Sequence, residues 1–277
     1  MVEIACIHLR GNLDSLGHSI IQRLLRGSID IVVPSESHES LEKLFSTEIE
    51  FSQSQILSSK NCPISPGHRV LLLGFENYLS SFDDSKIGIG VDGAEVILVT
   101  PLRLGVEFDL SEIDGHFIVH DMIPSVSSVL WDNPYLDDMF QSLIEGYDFD
   151  SKGYVGWWVA ELDIADAISR LMLSNHSSPK EVNFAGRRSW KSNQVFEELQ
   201  ILYKRTIAGQ SGSFTTEHLT SPSTPEIELL PGEMSVHNKR PSLNTLHDSL
   251  ILADGEGWRP MTPLRTSLMH FLIGKLN

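Results

Sequence analysis

Val2-Glu-Ile-Ala-Cys-Ile-His-Leu9, then Arg10-Gly11-Asn-Leu-Asp14-Ser-Leu-Gly17, then His18-Ser-Ile-Ile-Gln-Arg-Leu-Leu25: these residues decide the fold of the 277-residue chain. An apolar run, a glycine turn and an amphipathic segment follow one another, with Leu16, Ile20, Ile21, Leu24 and Leu25 at helical spacing. A second apolar run, Ile29 to Val33, completes a β-α-β unit. A strand that feeds a glycine turn opening a helix aims backbone N–H groups and a positive helix end at a pyrophosphate. Here Asp14 takes the middle position, a carboxylate where a phosphate approaches. Fold and chemistry pull apart at one residue.

The pattern continues outward. A helix is predicted over Ser40 to Phe45, then a Ser/Gln-rich loop, then a strand over Arg69 to Leu73 between Pro66-Gly67 and Gly74. Glu95 to Thr100 reads as a strand ended by Pro101, and Tyr154 to Ala160 as an aromatic-rich strand. Helical spacing marks Tyr135 to Ile144, Asp163 to Leu173, Asn193 to Lys204 and Pro263 to Leu276, and Glu181 to Phe184 is a short strand. Strands alternating with helices predict an α/β fold: a Rossmann-like, mostly parallel sheet with helices on both faces and a smaller C-terminal α/β lobe. The expected organisation is residues 1–150 as the Rossmann-like part, shortened in its centre, and 151–277 as the remaining sheet elements and lobe, in one compact unit.

Composition narrows the function classes. The net charge of −16 disfavours a nucleic-acid or anionic-membrane surface, since the field of the whole protein repels phosphate. Two cysteines, Cys6 and Cys62, are too few for a disulfide framework, and Cys6 in an apolar run reads as a free buried thiol. No apolar window approaches the roughly 20 residues of a membrane helix. A cytoplasmic location is the expectation.

The second half carries a family resemblance. Trp158-Val-Ala-Glu-Leu-Asp163-Ile-Ala-Asp166-Ala-Ile, Val182-Asn-Phe-Ala-Gly186, Lys239-Arg-Pro241-Ser-Leu-Asn, Gly257-Trp-Arg-Pro260 and Leu264-Arg-Thr-Ser-Leu resemble successive segments of the extended short-chain dehydrogenase/reductases. The branch most resembled is that of NAD-dependent sugar-nucleotide epimerases and dTDP-dehydrorhamnose reductases. The resemblance implies NAD(P) as cofactor and a nucleotide-sugar-like small molecule as ligand. It places Gly11, Asp14 and Gly17 at a Gly-x-x-Gly-x-x-Gly cofactor turn, and Glu36 where the family has a ribose-binding acid.

The departures from the family are specific. A carboxylate at the middle glycine position costs on the order of 1–4 kcal/mol per phosphate charge at about 4 Å. Asp14 equally suits the cap of a helix beginning near Ser15. The resemblance implies a Tyr-x-x-x-Lys proton donor, yet none of the five tyrosines has a lysine four residues on. Phe82-Asp-Asp-Ser-Lys86 is the best positional match, with phenylalanine in place of the phenol and Tyr78 the nearest substitute. Lys86 and Tyr78 are thus the catalytic candidates if redox chemistry survives. Gly88, Gly90 and Gly93 point to a shortened catalytic helix, and the span from Val33 to Arg69 is too short for two strands with their helices.

Other constellations carry less. His116 and His120 lie in a strand-like run, where residues four apart stand roughly 13 Å from each other and cannot chelate one ion. The remaining histidines are scattered in sequence, and no metal site is expected. Asp121 beside His120 is a candidate acid or base. Arg187-Arg188 and Lys239-Arg240 are the compact basic pairs able to meet substrate phosphates, with the five tryptophans as stacking surface or core. The expected function is a non-redox binding, regulatory or assembly protein with a protein partner. The rival readings are an NAD(P)-dependent reductase or epimerase with another proton donor, and a non-redox enzyme on this fold.

Overall fold

A computed structural model describes residues 5–74, 91–102, 110–128, 130–150, 153–219 and 240–276. Strands β1 (Cys6–Gly11), β2 (Asp30–Val33), β3 (Ile56–Ser58), β4 (Arg69–Leu73), β5 (Glu95–Pro101) and β6 (Gly115–Val119) join a strand from the second half, Glu181–Phe184, in one seven-stranded sheet. All its pairings are parallel, in the order Glu181–Phe184, β6, β5, β4, β1, β2, β3. The order reverses at β1 and β4, so the switch-point crevice lies beyond the carboxyl ends of these two strands. Their apolar runs are buried throughout, as strands of a covered parallel sheet require.

Alternation along the strands sorts the residues between two faces. Ile7, Leu9, Leu71, Leu73, Ile97, Val99, Phe117 and Phe184 face a large core with helix α1 (Leu16–Leu25), helix α2 (Ser35–Leu44) and the later helices Glu161–Leu173 and Asn244–Asp254. The opposite face carries Val70, Leu72, Val96 and Leu98, met by Ile113 and Ile64. Among the described residues, loops rather than helices stand against that second face. A separate core gathers helices Pro134–Glu145, Ser192–Gln210 and Leu264–Leu276 around Leu136, Val195, Leu199, Leu268 and Phe271.

The elements depart from the sequence reading at four places. The helix expected from Ser40 begins at Ser35, directly after Pro34, because only Leu41 of its residues is buried and a solvated helix shows little periodicity. The Ser/Gln-rich loop contains a short helix, Ser46–Glu50, and strand β3, so the span between β2 and β4 holds one strand, followed by a crossover without a helix. Tyr154 to Ala160 is not a continuous strand. It forms two two-residue ladders, Val155–Gly156 and Val159–Ala160, on different partners. Helix Asn244–Asp254 was absent from the sequence reading because Leu246 and Leu250 alone anchor it.

One buried cation ties the sheet to the end of the helix packed on its first face. The Arg69 guanidinium donates to the carbonyls of Leu171, Met172 and Ser174 at 2.7–2.9 Å and to that of His176. It also pairs with Glu95 at 2.6 Å. Cations suit this position because the last carbonyls of a helix lack partners within it.

Candidate functional site: a covered glycine turn

The turn after β1 has the backbone its sequence predicts. Gly11 has φ 87°, a conformation side-chain-bearing residues rarely adopt, and Asn12 N donates to Leu73 O at 2.9 Å. A Cβ on Gly17 would stand 3.2 Å from Asn12 O and 3.4 Å from Leu73 Cδ1, so this glycine lets α1 pack closely on the strands. Asp14 is not the helix cap. Ser15 holds that position at φ 40°, with no capping bond from its side chain. Asp14 Oδ1 instead accepts from Ser128 Oγ at 2.9 Å, while Asp14 N donates to Asn12 Oδ1 at 3.0 Å.

A second carboxylate stands against the same turn. Glu161 is 1 % exposed, and its oxygens accept from Ser15 Oγ at 2.6 Å, Ser19 Oγ at 2.5 Å, Ser125 N at 2.9 Å and Ser125 Oγ at 2.8 Å. Four donors replace the water it loses on burial. The positive end of α1 therefore faces a negative charge supplied by the chain itself.

The segment that carries Ser125 and Ser128 lies across the mouth of the crevice. Ser15 Oγ bonds Val126 O at 3.3 Å, and Leu130 Cδ2 occupies the space at Gly74, 1.6 Å from where a Cβ would be. Gly74 ends β4 at φ 68°, so both its backbone and its lack of a side chain are used. The C-terminal helix holds the segment from the other side. A Cβ on Gly274 would fall 2.7 Å from Ser125 O, and Lys275 Nζ reaches Ser127 Oγ at 3.1 Å, Asp132 at 3.3 Å and Asp137 at 2.8 Å.

The remaining candidates separate. Tyr78, Phe82, Lys86, Gly88 and Gly90 lie outside the described residues, as does Lys239. Glu36 is not at a strand end but in the first turn of α2, exposed to solvent. His116 Nε2 pairs with Thr100 Oγ1 at 2.8 Å and His120 Nε2 with Asn183 Oδ1 at 2.7 Å. Burial lowers both imidazoles below their ordinary range. Asp121, at φ 41°, accepts from Trp157 N at 2.6 Å and from the Tyr154 hydroxyl. Burial raises the Asp121 carboxyl, and burial together with that carboxylate raises the Tyr154 phenol. Tyr154 thus holds its proton too firmly to serve as a general acid near neutrality.

Arg188 stacks over Trp190 at 4.1 Å and Arg240 over Trp157 at 5.6 Å. Trp190 belongs to the small ladder in which it pairs with Gly156, and Trp157 directly follows that Gly156. Asp163 of the family-like segment accepts from Met261 N at 3.0 Å, Thr262 N at 3.1 Å and Thr262 Oγ1 at 3.0 Å, fastening the approach to the last helix.

The scattered histidines conceal a cluster that the sequence reading missed. Cys6, His8, Cys62 and His68 bring one ligand atom each within 4.8 Å of all the others. Cys6 and His8 are two apart on one face of β1, and His68 stands immediately before β4, its neighbour in the sheet. A Cys-x-His pair in a strand was the available signal.

No family model and no curated protein matches the sequence. The fold does match solved structures. UDP-glucuronic acid 4-epimerase from Bacillus cereus, crystallised with its UDP-sugar and NAD, aligns over 98% of this chain and 99% of its own, at TM-score 0.55 and 10% identity. UDP-N-acetylglucosamine 4-epimerase from Methanobrevibacter ruminantium aligns over 99% of both chains at 0.54 and 12%, and dTDP-glucose 4,6-dehydratase from Bacillus anthracis over 98% and 96% at 0.51 and 11%. The fold is therefore the one seen in these solved epimerases and the dehydratase.

Proposed function

We propose that this chain is a non-redox binding, regulatory or assembly protein built on a dehydrogenase fold. One observation carries the reading: residues 125–128 and Leu130 lie against the glycine turn and Gly74, with bonds to Asp14, Ser15 and Glu161. A pyrophosphate entering there displaces this segment and meets two carboxylates. Tyr154, pinned to Asp121, offers no acid in place of the missing Tyr-x-x-x-Lys pair.

A second reading concerns the ligand. Arg188 on Trp190 and Arg240 on Trp157 present cations backed by aromatic faces, a surface suited to the phosphates and base of a nucleotide sugar. Such a ligand can be held without redox chemistry.

Calorimetric titration with NADH, NADPH and a UDP-sugar tests both readings. The expected result is no saturable binding of either dinucleotide up to about 1 mM, some 4 kcal/mol on the affinity scale. Micromolar binding of NADH or NADPH overturns the non-redox reading. Binding of the UDP-sugar that weakens in Arg188→Ala and Arg240→Ala supports the ligand reading, and its absence removes it.

A further inference from the structure

The crossover from β3 to β4 runs back over the second face of the sheet without a helix, and Cys62 and His68 belong to it. It meets Cys6 and His8, which β1 points to that same face. Cys6 Sγ lies 3.9 Å from Cys62 Sγ, 3.4 Å from His8 Nε2 and 3.3 Å from His68 Nδ1, and the two ring nitrogens are 2.8 Å apart. Tetrahedral zinc, at about 2.3 Å from sulfur and about 2.0 Å from nitrogen, requires edges of about 3.8 Å between sulfurs, about 3.5 Å between sulfur and nitrogen and about 3.3 Å between nitrogens. The Cys6–Cys62, Cys6–His8 and Cys6–His68 edges already have these lengths, the nitrogen pair is shorter because it shares a proton, and Cys62 Sγ lies within 4.8 Å of both ring nitrogens.

We propose that Cys6, His8, Cys62 and His68 form a closed structural site for a tetrahedral divalent transition metal of the zinc class. Two sulfurs and two imidazole nitrogens select such a metal over magnesium or calcium, which take oxygen ligands. Four protein ligands leave no open position for a substrate, so the role is structural. The ion clamps the crossover to β1 and β4 where no described helix packs.

Arg10 Nη2, a donor only, lies 3.0 Å from His8 Nδ1, so in the metal-free cluster His8 carries its proton on Nε2 and gives it to His68 Nδ1. The ion takes the place of that proton. His8 then holds its proton on Nδ1, and Arg10 Nη2 gives up this contact while Nη1 keeps Leu9 O and Val32 O. His68 Nδ1 likewise exchanges the weak 3.3 Å approach of Ser65 N for the metal. Cys6 and Cys62 each release one proton to solvent, and two thiolates neutralise the dication.

The test uses the full-length chain, kept reduced, with cobalt(II) as the spectroscopic probe and zinc as competitor. One equivalent of cobalt is expected to give tetrahedral ligand-field bands and thiolate charge-transfer absorption, both abolished by one equivalent of zinc. Saturating zinc is expected to raise the melting temperature by mass action. Cys62→Ser and His68→Asn, both half-buried in the crossover, are expected to keep the native circular dichroism. Each is expected to lose cobalt affinity by more than the roughly 10- to 100-fold that a change beside a ligand costs. No cobalt spectrum and no zinc-dependent melting shift in the wild-type chain overturn the proposal. So does a spectrum that Cys62→Ser and His68→Asn leave unchanged, or mass spectrometry that finds a Cys6–Cys62 disulfide which reductant does not open.

Discussion

Glu161 shows how much one residue can settle. Its buried carboxylate is fully partnered within the fold, because the hydroxyls of Ser15 and Ser19 and both donors of Ser125 converge on it. Glu161→Gln keeps the shape but turns one acceptor into a donor facing serines; a loss of about 1–3 kcal/mol is expected, read from urea unfolding. Asp14→Gly puts a glycine in the middle of the turn, yet Val126 still meets Ser15 and Leu130 still fills the space at Gly74. The expected outcome is a chain that still binds no NADH by fluorescence titration, and micromolar binding in that variant would show that Asp14 alone closes the site. The buried imidazoles supply a pH dependence. Burial holds the His116 and His120 imidazoles below their ordinary range, with Asn183, Asp121 and Glu181 as the polar groups around His120. Unfolding lets both protonate below about pH 6.5, so their contribution is complete above that value and lost as pH falls. The melting temperature is expected to drop between about pH 7.5 and about pH 5.5, and His120→Asn to drop less. Equal drops would remove His120 from the account. Asp121, raised by burial, acts with the opposite sign in the carboxylate range, where stability is lost as pH rises.

Among the elements, the contact between the end of β4 and Leu130 is the most exposed to test. Gly74→Ala places a methyl 1.6 Å from Leu130 Cδ2 at a positive φ, with an expected cost of about 2–4 kcal/mol. Leu130→Ala removes the opposing side chain. A double-mutant cycle is expected to recover part of the loss, and strict additivity would show that the two residues do not touch. At this scale the sequence was legible where burial imposed a pattern. Strand Arg69 to Leu73 and helix Leu16 to Leu25 stand where apolar spacing put them. Helix Ser35–Leu44 and helix Asn244–Asp254 were hidden because one or two buried leucines leave no period to read. The glycine turn was visible, but its covering was not. Ser128 and Glu161 reach the turn across more than a hundred residues, and Leu130 reaches Gly74 from a distant segment, by contacts no local spacing encodes. The Cys6, His8, Cys62, His68 cluster was hidden for the same reason, since register between β1 and β4 assembles it.

Across the whole molecule, the seven-stranded sheet and its core agree with solved structures over nearly the full chain, and the covering of the crevice is built from residues far apart in sequence. No helix among the described residues is long and apolar enough to cross a membrane. The covering segment is held on one side by Asp14, Ser15 and Gly74, and on the other by Gly274 and Lys275. That arrangement sets an order of assembly. The first β-α-β unit can form early from local contacts, but its mouth cannot close until residues 264–276 have left the ribosome and packed as a helix. In pulse-labelled hydrogen exchange during refolding, amides of β4 are expected to gain protection before those of residues 125–128. Simultaneous protection would mean that the two ends of the chain close in a single cooperative step.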